Sequence, residues 1–175
     1  MSELYDSVRS PQKREKRRSP ALIAAVLACL LLLGFAVGFA AHSVVAQRRF
    51  WSYVSDLSDS FYYGRTHHCL TAQAAGDTRF VNGDTGTKLF NKITLAGRGK
   101  ERGKPPEGER ILLDFGDGST LTLWYTALSG GNTMRNHGVC LLYESASGSR
   151  YLYDTDKLTY EDFLLYVNPA ALGLE

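Results

Sequence analysis

Two short stretches hold the side chains with potential for metal or nucleophilic chemistry. RTHHCLTAQ, residues 65–73, places His67 and His68 beside Cys69, and NHGVCLLY, residues 136–143, contributes His137 and Cys140. Three chemistries suit these residue types. A zinc ion takes four nitrogen or sulfur ligands in a tetrahedron, and His67 or His68, Cys69, His137 and Cys140 nominally supply them. A thiolate nucleophile needs a base within reach, and Cys140 with His67 or His68 meets that description. A disulfide needs only that Cys69 and Cys140 face each other in an oxidising space.

Spacing separates the three. Structural zinc sites use turn-like ligand pairs such as C-x2-C, whereas His137 and Cys140 on one strand would point to opposite faces. For nucleophilic catalysis the order is His67 or His68, then Cys140, then Arg150 as a cationic stabiliser. This order resembles that of the membrane-anchored sortase transpeptidases, and the resemblance implies an envelope thiol enzyme. Where that family has a Thr-Leu-x-Thr-Cys strand, this chain has HGVC. The disulfide reading expects a Cys69–Cys140 bridge, whose long loop would stabilise the fold by about 2–4 kcal/mol. Buried free thiols are its alternative. DFG at 114–116 lacks the rest of the kinase set, and DTDKLTYED at 154–162 lacks the turn glycine and later ligands of a calcium loop. No nucleophile elbow, zinc-protease helix or phosphate loop is present, so no cofactor is expected.

Which reading applies depends on the compartment. Residues 21–46, ALIAAVLACLLLLGFAVGFAAHSVVA, contain no Asp, Glu, Lys or Arg over 26 positions. About 20 apolar residues cross the hydrocarbon core as a helix. Ahead of this run Arg9, Lys13, Arg14, Lys16, Arg17 and Arg18 outnumber Glu3, Asp6 and Glu15. The positive-inside bias predicts a basic cytoplasmic tail at 1–20, a transmembrane helix at 21–46, and residues 47–175 outside the cell. A cleaved signal peptide ending near SVVA is the alternative, although the apolar run exceeds the usual signal length. Cys29 lies inside the run, which leaves Cys69 and Cys140 as the external pair. Gly34 and Gly38 form a G-x-x-x-G step where a second helix could approach, so a homodimer is a candidate.

The outer 129 residues carry 14 Lys/Arg against 15 Asp/Glu, so nothing there favours a nucleic acid. Their patterning predicts an α+β domain: four to six antiparallel strands with two or three helices on one face. Phe50, Tyr53, Val54, Leu57 and Phe61 repeat on one helical face, with Gly64 as the expected stop. Phe50, Trp51 and Tyr53 also suit an interfacial aromatic belt. Short strands are expected in HHCLTAQ and TRFVNG around the Gly76–Asp77 turn signal, then a helix capped by Asp84 and ended by Gly97. GRGKERGKPPEGER, residues 97–110, reads as a charged loop able to meet a carboxylate or phosphate, or simply as a solvated connection. ERILLDF and TLTLWYT flank GDGS as a hairpin, and GVCLLYE with SRYLYDT forms another. LTYEDFLLYVNP closes the chain as a helix with Thr159 as cap, Asp162 three residues on, and Pro169 beyond its end.

The functional expectation is a single-pass membrane protein that displays a small non-catalytic binding or accessory module. Its expected partners are the bilayer and a membrane or envelope protein. Trp124, Tyr143, Tyr151 and Tyr153 are candidates for a binding face or for the core.

Overall fold

A computed structural model describes residues 20–127 and 137–173 of the chain. The basic tail expected at 1–20 therefore lies, except for Pro20, outside the described residues. The chain divides into two compact units, Met1–Val45 and Ala46–Glu175.

In the first unit the described residues belong to helix α1, Pro20–Thr66. Among the described residues one helix is thus long and apolar enough to cross a membrane. Leu31, Phe35 and Phe39 are all more than 70% exposed, and no residue from 20 to 45 is buried. Water cannot accommodate so continuous an apolar surface without association.

In the second unit α1 changes character. Phe50, Tyr53, Leu57 and Phe61 are buried and Val54 packs against them, as their spacing predicts. Of the three residues suited to an aromatic belt only Trp51 stays exposed, because Phe50 and Tyr53 are committed to the core. Gly64 does not end the helix, which runs on to Thr66. A Cβ at Gly64 would meet Leu70 Cβ at 3.1 Å and the Phe115 carbonyl at 3.2 Å, so the glycine serves close packing. The chain reverses instead at His68, whose φ is 51°, and the Gly64 carbonyl accepts from the Cys69 and Leu70 amides.

Among the described residues the sheet has seven strands, all paired antiparallel: β1 Thr71–Ala74, β2 Asp77–Phe80, β3 Lys100–Glu101, β4 Arg110–Asp114, β5 Thr120–Ala127, β6 His137–Glu144 and β7 Arg150–Thr155. Their order is β2-β1-β4-β5-β6-β7-β3. Helix α2 spans Gly83–Leu95 and α3 spans Tyr160–Val167. The architecture is α+β, with three α-helices among the described residues.

Several local expectations shift by a residue or two. Residues 67 and 68 are turn and 69 and 70 are irregular rather than strand, and β1 starts at Thr71. β1 and β2 join through Ala75 and Gly76, with φ of 52° and 85°. Two left-handed residues in a two-residue loop make the turn that suits strand twist. Asn82, not Asp84, caps α2 by accepting from the Thr85 amide at 2.8 Å. Thr159 caps α3 as expected, accepting from the Asp162 amide.

The strand count exceeds the expected four to six because of β3. Its Lys100 and Glu101 are exposed and carry no apolar pattern, so only backbone pairing to β7 makes them a strand. Gly99 permits it, since a Cβ there would collide with the Asp154 carbonyl.

The sheet has two different faces. Ile111, Leu113, Leu121, Leu123, Val139, Leu141, Tyr143, Tyr151 and Tyr153 share the main core with α1, α2 and α3. Trp124, Cys140, Leu142 and Leu152 alternate with them and form a second cluster on the opposite face. Residues 102–109 must pass from β3 across β7, β6 and β5 to reach β4. Pairing puts Glu101 opposite Tyr153 and Arg110 opposite Trp124, so this strap crosses strand middles rather than strand ends. The helices occupy the core face, which leaves the strap the face of the second cluster. Arg102 begins that crossing with hydrogen bonds to both carboxylate oxygens of Asp154, each 3.2 Å.

Candidate functional site

The structure does not assemble the His/Cys set. His67 and His68 are exposed where α1 ends, and His67 stacks on Tyr63 with ring centroids 4.0 Å apart. Cys69 is half-buried and its Sγ donates to the Phe115 carbonyl at 3.1 Å. Cys140 lies in β6 at the second cluster, fully buried. His137 is the first residue of β6, opposite Ala127. Arg150 opens β7 and pairs with Glu144, Nε to Oε1 at 3.3 Å.

The expected Cys69–Cys140 disulfide is absent, and both thiols are free. Topology explains the separation. Cys69 precedes β1, and β4 and β5 lie between β1 and β6. Strands lie about 4.8 Å apart, so three steps put the pair about 14 Å from each other. Cysteines more than about 7 Å apart at Cα cannot bond without backbone movement. The sequence showed two external cysteines but not which sheet position each would occupy.

The same distance keeps His67 and His68 from Cys140. Burial pushes the Cys140 thiol up to about 12, its hydrogen bond to the Asp154 carboxylate and that charge push the same way, and Arg102 opposes. A thiol so placed is protonated at neutral pH and packs as a small apolar residue. Among the described residues no three His, Cys, Asp or Glu side chains converge as metal ligands. Trp124, Tyr143, Tyr151 and Tyr153 are buried, so these aromatics belong to the core and the second cluster. Gly34 and Gly38 have open space beside them on α1.

A different constellation stands at one rim of the domain, where the strap enters β4. A hollow of about 370 Å³ is lined by Glu107, Gly108, Glu109, Tyr125, Tyr160, Glu161, Leu164 and Leu172. Among the described residues it contains three carboxylates and no basic side chain. The Tyr125 and Tyr160 rings meet edge to face, with centroids 6.5 Å apart and planes at 89°. Tyr160 is 5% exposed, and its hydroxyl is not among the buried polar atoms that lack a partner. Burial pushes that hydroxyl up to about 12, and the charges of Glu109 and Glu161 add to the effect. An adjoining hollow of about 410 Å³ continues past Ala75, Gly76 and Arg110.

Three elements place these groups. Pairing of Arg110 with Trp124 sets Glu109 beside the row of Tyr125. The Thr159 cap starts α3 so that Tyr160 turns inward and Glu161 outward. In the sequence 97–110 reads as charged loop and 159–168 as helix, with no signal that the two meet. No family model, curated protein or solved structure matches this chain.

Proposed function

We propose that this chain is a single-pass membrane-anchored protein that presents residues 47–175 outside the cell as a non-catalytic binding or accessory module. The observation carrying this reading is the exposed apolar stretch of α1 behind the basic residues at 9–18. Residues 1–20 stay cytoplasmic and 21–46 span the bilayer. The partner is a membrane or envelope protein, and the Gly34–Gly38 step lets a second copy approach within the membrane. A binding role is favoured over thiol catalysis because Cys140 is buried far from His67 and His68, while the rim hollow is open and chemically furnished.

Protease treatment of intact cells carrying a C-terminal epitope tests the orientation. The epitope is expected to be lost while an N-terminal epitope survives; the reverse pattern overturns the proposal. Loss of the N-terminal epitope during maturation would establish a cleaved signal peptide instead.

A further inference from the structure

We infer that β3 and the strap form a latch that lifts off the sheet while the rest of the domain stays folded, uncovering Trp124, Cys140, Leu142 and Leu152. This motion belongs to the domain itself and does not depend on which side of a membrane it occupies.

The segment is held by few ties. The Arg102 amide donates to the Leu152 carbonyl at 3.2 Å, and pairing to the sheet resumes only at Arg110. Between them no backbone hydrogen bond joins the strap to the sheet among the described residues. Pro105 and Pro106 have no N–H to give. Lys104, Glu107 and Glu109 form no ion pair among the described residues. β3 adds two paired residues, both exposed. The side-chain ties are the Arg102–Asp154 pair and a 3.6 Å contact of Arg49 with Glu101.

Length and backbone permit the motion. From β3 to β4 is four strand spacings, about 19 Å. The chain from Arg102 to Arg110 reaches about 27 Å when extended, which leaves slack to lift. Gly97 and Gly108 bracket the segment with φ of 71° and 125°, and glycine turns freely there.

What the strap covers is separate from the main core. Trp124, Cys140, Leu142 and Leu152 are buried, yet they form their own cluster on the face opposite the helices. Of the strap residues 102–109 only Pro105 and Pro106 are half-buried. Lifting therefore uncovers four side chains and leaves the packing of α1, α2 and α3 on the sheet in place. Openings that break so few buried contacts lie well below global unfolding in free energy.

Cys140, wholly buried in the covered cluster, reports the opening. The full chain carrying Cys29→Ser, in a non-ionic detergent, is alkylated with iodoacetamide near pH 8 across a urea series. Peptide masses read the modification of Cys140. Sensitivity to urea scales with the surface an opening exposes. The rate is expected to stay nearly flat at low urea and to rise steeply only through the global transition. Arg102→Gln should raise the low-urea rate about two- to five-fold, as for loss of a partly exposed ion pair, with the global midpoint little moved. The Arg102 charge favours the Cys140 thiolate, so a change in thiol chemistry alone would slow the labelling instead. Pro105→Gly with Pro106→Gly, which removes the two half-buried rings, should raise the same rate. A rate that follows the steep limb down to zero urea, or one that either variant fails to raise, overturns the inference.

Discussion

Ser60 of α1 and Tyr143 of β6 join through their hydroxyls at 2.8 Å, inside the core and 83 residues apart in sequence. Ser60 Oγ also donates to Asp117 Oδ2 at 2.8 Å, and the Tyr143 hydroxyl lies 3.0 Å from the Asp56 carbonyl. Two protons thus serve three contacts. With Ser60 donating to Asp117, Tyr143 donates either to Ser60 or to Asp56. Tyr151 adds a donation to Asp56 Oδ2 at 3.0 Å. This network fixes the register of α1 on the sheet.

Ser60→Ala and Tyr143→Phe should each lower stability by about 1 kcal/mol, the net worth of a buried hydrogen bond. The double variant should lose less than the sum, because the two side chains share one contact. Thermal unfolding of the four proteins measures the coupling, and strict additivity would contradict the geometry.

Thiol mapping should find no Cys69–Cys140 bridge. In a Cys29→Ser background, native alkylation near pH 8 should modify Cys69 well before Cys140, whose thiol is buried and held up to about 12. Both should react after denaturation. A joined pair on non-reducing mass analysis would refute a strand order that sets β4 and β5 between them.

Gly116→Ala should destabilise the domain by about 1–3 kcal/mol. Gly116 has φ 76°, and a Cβ there would lie 2.5 Å from Cys69 Sγ and 2.8 Å from Cys69 Cβ. Gly76→Ala offers the contrast: its φ is 85° but nothing stands within 4 Å, so strain acts without a clash and the loss is smaller. Chemical denaturation of both variants checks the order.

Stability should fall in acid partly through Asp162. Burial opposes its ionisation, but the Lys92 ammonium at 3.0 Å and hydrogen bonds from Thr159 outweigh that and hold the carboxyl below its ordinary value. A depressed folded pKa stabilises above the unfolded value, near pH 4, and the contribution is lost as pH falls through the folded one. Lys92→Met should therefore be less stable than wild type at pH 7. The gap in melting temperature should close below about pH 4. A gap independent of pH would assign the Lys92 effect to packing, including its placement over the Tyr166 ring.

Much of the fold was legible because local chemistry decides it. Leu121 and Leu123 alternate with Thr122 and Trp124, and a strand puts them on opposite faces whatever surrounds it. Thr159 and Asp162 carry a helix start in their own side chains. Strand β3 was illegible for the converse reason: Lys100 and Glu101 become a strand only because β7 has an edge beside them and Gly99 lets the backbones touch. The rim hollow was equally hidden, since Glu109 and Tyr160 are 51 positions apart and neither marks the other.

By itself, the sequence determined the long apolar helix, the α+β class, most strand positions and the caps of α3, all governed by side chains near one another along the chain. Tertiary structure alone decided that Cys69 and Cys140 stay apart, that the histidines meet no sulfur nucleophile, and that three glutamates and two tyrosines share a rim. Strand order sets those distances, and it follows from how α1 and the strap cover the two faces of the sheet, which no local pattern encodes.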